Sequence, residues 1–246
     1  EGLMVEIGQR DYAEWTKADY RIILKRFYKW LLGNNEEFPI QVKWIRYREP
    51  KNTILPEELL TEEEVLRVVD KTKLIRDKAF IYLLYESGAR IGEILTLSIK
   101  HVTIGNPISS ILVSGKTGQR RIPFVKSARY LREWLSEHPF REHPESSLWV
   151  RMDSARVSGK WTNPAEKEIT YTSVKKLLGK AFLEAGIKKK HRCHLFRHSR
   201  ATFLAQHLTE AQLKQFFGWT QSSDMAGRYV HLSGRDLDGA ILRVYS

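Results

Sequence analysis

One cysteine, Cys193, stands in the whole chain, so no intramolecular disulfide can hold the fold, and a reducing compartment is the natural setting. Long apolar runs are missing too. The richest, Ala79-Phe80-Ile81-Tyr82-Leu83-Leu84-Tyr85, is flanked by charge and falls far short of the ~20 residues needed to span a bilayer. The chain also lacks the basic start and apolar stretch of a signal peptide. These absences lead to the expectation of a cytoplasmic protein with no membrane partner. Acidic residues are in deficit: 29 Asp and Glu face 41 Lys and Arg, a formal charge of +12 that favours polyanionic partners such as nucleic acid. No polybasic tail carries that surplus, only short clusters such as Lys188-Lys189-Lys190, so attraction for a polyanion must come from a folded surface.

What is present, 42% hydrophobic residues over 246 positions, supports a sizeable core. Residues 15–32 place Tyr20, Ile23, Leu24, Phe27, Tyr28 and Leu31 at helical spacing. Lys17, Arg21, Lys25 and Lys29 fall on another face, which predicts a basic amphipathic helix. Residues 49–58 hold two prolines and little periodicity and read as a linker, dividing the chain into a small helical segment, 1–52, and a larger domain, 53–246. Thr61 followed by Glu64 forms a capping-box signal. Further helices are expected within 75–88, 89–102, 127–138, 172–187, 194–208 and 210–219, and a hairpin around Gly115-Lys116-Thr117-Gly118. Ser147–Val150 reads as a strand and 153–164 as a loop. The fold class is therefore mainly α with a small β-sheet, α+β.

Three basic positions, far apart in sequence, are alike in character: Arg90 after a Gly-Ala turn, Lys116 at a hairpin tip, and Arg197 within His194-Leu195-Phe196-Arg197-His198. A guanidinium matches two phosphate oxygens, so two such arginines can clamp one phosphate. The alternative is local: Arg90 pairs with Glu93 and Arg197 caps a helix. A metal reading of His191, Cys193, His194 and His198 is set aside, because their spacing follows no zinc pattern and Arg192, Arg197 and Arg200 repel a cation. No metal and no cofactor are expected.

The ordered series Ala89–Glu93, Ser114–Pro123, His194–Thr202, Phe217–Trp219 and Arg228–His231 resembles the tyrosine recombinase family, also called phage integrases. The likeness runs over about 59–246, and the basic helix before it looks like the end of that family's helical core-binding domain, which implies that Lys17, Arg21, Lys25 and Lys29 contact the DNA backbone. The resemblance implies that Arg90 and Arg197 clamp a phosphate and that Lys116 is the hairpin lysine. His194 then opens the His-x-x-Arg box, and Trp219 takes a position often held by a second histidine, where it can donate a hydrogen bond but not exchange a proton. Tyr229 falls on the nucleophile. Glu93 and His198 are supporting residues, and Arg120 and Arg121 beside the hairpin lysine are further DNA-binding cations. The implied activity is cleavage and rejoining of double-stranded DNA through a 3′-phosphotyrosyl link by a homotetramer on two duplexes, monomeric or weakly associated without DNA. The implied alternatives are a DNA-binding accessory or excision factor that does not cleave, and a type IB-like topoisomerase.

Overall fold

The computed structural model describes residues 2–32, 37–47, 55–115, 118–151 and 168–232, with residues 231 and 232 described by their backbone alone. The chain divides into two compact units, 1–54 and 55–246. Among the described residues no helix is long and apolar enough to cross a membrane.

The first unit holds α1 (Gly2–Gln9), α2 (Glu14–Leu32) and the short α3 (Ile40–Lys43). The amphipathic helix at 15–32 forms, but much of its apolar face is exposed and its cations are not fully so. Ile23 is 60% and Trp30 75% exposed, whereas Lys17, Arg21, Lys25 and Lys29 are all half-buried. Lys25 Nζ donates to the Ile45 carbonyl at 3.1 Å and lies 4.5 Å from the centroid of the Phe38 ring, which Lys29 Nζ also faces at 5.3 Å. Lys17 pairs with Glu14 at 3.2 Å. The Lys25 and Lys29 ammonium heads find a carbonyl and a π face beside a segment in which Val42 and Ile45 are buried. Three of the four cations, Lys17, Lys25 and Lys29, are thus engaged within this unit.

In the second unit, Thr61 caps α4 (Glu62–Lys71), accepting from the Glu64 amide at 3.2 Å while the Glu64 carboxylate takes the Thr61 amide at 2.9 Å. Helix α5 (Ile75–Ser87) is apolar nearly all round and lies in the centre of the core. Each large side chain it buries contributes about 1.5–3 kcal/mol. It stops at Gly88, whose φ of +54° favours glycine and where a Cβ would sit 2.5 Å from the Phe217 ring. The helix expected over 89–102 is shorter, α6 (Ile91–Leu95), because a 3-10 turn at Ile99–His101 redirects the chain. Strands β1 (Val102–Thr103), β2 (Ser109–Gly115) and β3 (Gly118–Phe124) follow in a three-stranded antiparallel sheet of that order, with Gly115 opposite Gly118.

Helices α7 (Ala128–Glu137), α8 (Tyr171–Glu184), α9 (Cys193–Ala205), α10 (Glu210–Phe217) and α11 (Met225–Leu232) complete the unit. The expected strand at 147–150 contributes only isolated bridges, Ser98 to Ser147 and Val150 to Glu168. Its Trp149 is fully buried and donates to the Ile94 carbonyl at 2.8 Å, which holds α6 against the core. Most of the linker expected at 49–58 and all of the loop at 153–164 lie outside the described residues. Buried side chains form a large core around α5 and a smaller one of Ala201, Leu204, Ala205, Leu213, Phe217, Ala226 and Tyr229.

Candidate active site

Two arginines from two elements meet one carboxylate, and a third stands nearby. Arg90 is the N-cap of α6; its amide donates to Glu93 Oε2 at 2.7 Å and its Nη1 to Oε1 at 3.1 Å. Arg120, on β3, adds a two-pronged pair to the same carboxylate, Nη1 to Oε1 at 2.8 Å and Nη2 to Oε2 at 2.9 Å. Desolvation pushes the Glu93 carboxyl up, but the hydrogen bonds from Arg120 and the Arg90 amide, with both arginine charges, more than offset it and the net shift is downward. The strand carrying the hairpin closes directly onto this group, for a Cβ on Gly115 would stand 2.5 Å from Glu93 Oε1.

Arg197, on α9, is 7% exposed, and its two terminal nitrogens donate to the Gly88 carbonyl at 2.8 Å and the Phe217 carbonyl at 2.7 Å. Those carbonyls end α5 and α10, so the guanidinium sits at the negative poles of two helices. Arg120 Nε reaches the adjacent Phe216 carbonyl at 3.1 Å. Burial lowers the Arg197 pKa to about 10, and the neighbouring charges of Arg90 and Arg120 act in the same direction. Three guanidiniums against one carboxylate leave a surplus of positive charge, and Arg90, with its side chain 41% exposed, gives that surplus an outlet to solvent. The arrangement suits a bound anion such as a phosphodiester.

A stack of aromatic rings adjoins the cluster. Gly218, with φ of +62°, ends α10, and a Cβ there would press on Arg120 at 2.9 Å. Trp219 then turns back between Phe217, with centroids 4.9 Å apart, and Tyr229, 5.4 Å away and parallel to within 1°. The Arg197 guanidinium stands 5.0 Å from the Phe217 ring and 5.6 Å from Trp219. Tyr229, in α11, is 4% exposed, and its hydroxyl hydrogen-bonds to Nδ1 of His198. Burial raises the phenol to about 12, opposed by the charges of Arg197 and Arg228.

Of the residues singled out by sequence, Arg90, Glu93, Arg197, His198, Trp219 and Tyr229 lie in this one neighbourhood. His194 is exposed in the first turn of α9, with its ring edge-on to His198 at 6.3 Å. Lys116 lies outside the described residues. Both local alternatives also hold: Arg90 does pair with Glu93, and Arg197 does cap helices, but at their C-terminal ends and within the cluster. Arg120 and Arg121 are placed differently. The Arg120 side chain is 9% exposed and bonded to Glu93 and the Phe216 carbonyl, which gives it a structural part in the cluster. The signal was in the strand: Arg120 shares the period-two face of Ile122 and Phe124, both buried, while Arg121 points the other way and is exposed. The stack of Phe217, Trp219 and Tyr229 and the helix carrying Tyr229 were not legible beforehand, since α11 is too short for a clear period.

Comparison with known proteins places these features in context. The model of the phage integrase family matches residues 58–235. Tyrosine recombinase XerC of Staphylococcus haemolyticus is 25% identical over 232 residues, covering 90% of this chain and 72% of its own. Tyrosine recombinase XerD of Oceanobacillus iheyensis is 31% identical over 173 residues, covering 67% of this chain. The chain spans only 54% of that relative's length. Among solved structures, XerH recombinase in a post-cleavage complex with palindromic difH substrate superposes with a TM-score of 0.68 at 24% identity, covering 93% of this chain and 67% of that one.

Proposed function

Because this chain belongs to the phage integrase family, we propose that it is a site-specific DNA recombinase whose Tyr229 attacks a backbone phosphate held by Arg90 and Arg197. The observation that carries this reading is the convergence of residues 90, 197 and 229, distant in sequence, where Tyr229 stacks on the indole that Arg197 faces. The Tyr229 oxygen forms a bond to phosphorus, the bond from phosphorus to the 5′-oxygen breaks, and a 3′-phosphotyrosyl link and a free 5′-hydroxyl result. A second 5′-hydroxyl reverses the step. The ester's energy is kept in the link, so rejoining needs no nucleotide cofactor. The guanidiniums stabilise charge that builds on the non-bridging oxygens in the transition state. Exchange between two duplexes calls for four copies, each cutting one strand. The +12 charge supports double-stranded DNA as the partner.

The test is a nicked suicide duplex, its sequence selected by binding from a randomised library, incubated with the protein and run on a denaturing gel. A covalent adduct whose peptide maps to Tyr229 is the expected result. Binding without adduct would instead indicate an accessory factor, and relaxation of supercoils without strand exchange a topoisomerase-like enzyme.

Lys116 is assigned to protonate the departing 5′-oxygen, a task suited to a flexible ammonium and not to a guanidinium that keeps its proton. Lys116→Ala is expected to cleave ordinary DNA about 10²-fold or more slowly and to recover on a substrate with sulfur at the bridging 5′ position, because a thiolate leaves unprotonated. Arg90→Ala should gain much less from the sulfur. Equal gains would reassign Lys116 to DNA positioning.

A further inference from the structure

Strand transfer by Tyr229 leaves one atom unaccounted for, the phenolic proton. It must leave as the oxygen attacks, yet the phenol is less acidic than usual: burial holds it at about 12. At neutral pH almost none of it is ionised, so attack needs a base in contact with the hydroxyl. His194, at the head of the His-x-x-Arg box, is exposed and beyond its neighbour's ring. The hydrogen bond of the Tyr229 hydroxyl runs to His198, four residues further along α9, on the same helical face.

We propose that His198 is a further catalytic residue: its Nδ1 accepts the Tyr229 proton as the phenol attacks phosphorus, and returns it when the tyrosine departs during rejoining. This assignment rests on the strand-transfer reading above. In atoms, the Tyr229 O–H bond breaks and its proton passes to Nδ1, the O–P bond forms, and the bond from phosphorus to the 5′-oxygen breaks. That oxygen takes its proton from a separate acid, assigned above to Lys116. In the reverse direction the incoming 5′-hydroxyl gives its proton back to the acid that was left deprotonated, and the tyrosine oxygen recovers the one held on His198, so the enzyme ends as it began.

The surroundings keep His198 able to accept. Groups facing it are His194 and Arg197 from its own helix and Tyr229 from α11. Burial, then His194, then Arg197 each disfavour the imidazolium, so the ring stays neutral below its ordinary titration range. With Nδ1 accepting, the ring proton sits on Nε2. A weak base facing a weak acid holds the proton on tyrosine at rest. Transfer becomes favourable only as the new O–P bond draws charge from the phenolic oxygen, which couples deprotonation to bond formation. The same buried stack that makes Tyr229 a poor acid therefore also protects it from ionising before a phosphate is in place.

The experiment uses the full chain and the selected nicked duplex. His198→Asn puts an amide oxygen near the Nδ1 position, so it can hold the Tyr229 hydroxyl but cannot take its proton. Adduct formation is expected to fall about 10²–10⁴-fold at neutral pH. The acid limb of the wild-type rate profile, along which rate declines as His198 protonates, should vanish with it, while duplex binding is unchanged. A His198→Asn protein within about twofold of wild type, or one that keeps the acid limb while His194→Asn loses it, overturns the assignment. A wild type that forms no adduct overturns the strand-transfer reading and this assignment with it. Nitrogen-15 NMR of labelled histidine gives a readout that needs neither turnover nor a variant at His198. In the wild type the His198 Nδ1 should be the unprotonated, hydrogen-bonded nitrogen and should shift on Tyr229→Phe; a protonated Nδ1 in the neutral ring overturns the proposal.

Discussion

Tyr229→Phe is expected to bind duplex as the wild type does and to form no covalent adduct, a loss to the detection limit. The change removes one oxygen and keeps the ring, so the parallel stack on Trp219 and the small core around Leu204, Leu213 and Phe217 persist. Its structural cost is one hydrogen bond, that to His198, about 0.5–1.5 kcal/mol. A stability loss of that size cannot account for a missing product, so denaturant melts run beside the suicide-substrate gel separate the two effects. Persistence of adduct in Tyr229→Phe would move the nucleophile to another residue.

The second large effect concerns stability as well as chemistry. Arg120→Ala leaves the Glu93 carboxylate, 5% exposed, without its two-pronged partner and frees the Phe216 carbonyl. Leaving a buried charge unpaired costs about 3–5 kcal/mol, an upper bound for Arg120→Ala because Arg90 still bonds Glu93. The urea midpoint should fall accordingly. Glu93 has a depressed pKa, so its contribution is present above the ordinary carboxylate range and is lost as pH falls through the folded value. The gap between wild type and Arg120→Ala should therefore narrow in acid. Arg121→Ala is the matched control. It is exposed on the opposite face of β3 and should change stability by no more than about 0.5 kcal/mol. If Arg121 meets a phosphate, its loss reduces the salt dependence of duplex binding by about one unit of slope. Comparable destabilisation by the two substitutions would show that the Glu93 pair does not hold the site together.

These residues mark where sequence reading was sufficient and where it was not. Signals that act over a few residues were legible: the capping box at Thr61 and Glu64, the glycine stop at Gly88, the apolar run of α5 and the hairpin register ending at Gly115 and Gly118 are all short-range consequences of backbone sterics and hydrogen bonding. The order of the motifs around Arg90, Arg197 and Tyr229 was likewise written in the chain, and with it the family. Which face of α2 turns inward was not, because Lys25 and Phe27 each have an apolar stem and the choice depends on what the 37–47 segment offers. Arg120 and Arg121 are neighbours of identical type, and only the pleat of β3 against Glu93 sends one inward as a structural cation and leaves the other for solvent. The contact of His198 with Tyr229 joins residues 31 positions apart through the packing of α11 on α9, and no local pattern encodes it. The sequence by itself determined which cations, imidazoles and phenols the chain carries and in what order; the tertiary structure decided which of them are buried, which are paired and that His198 touches Tyr229, because burial and hydrogen-bond partnership depend on elements that meet only when the chain is folded.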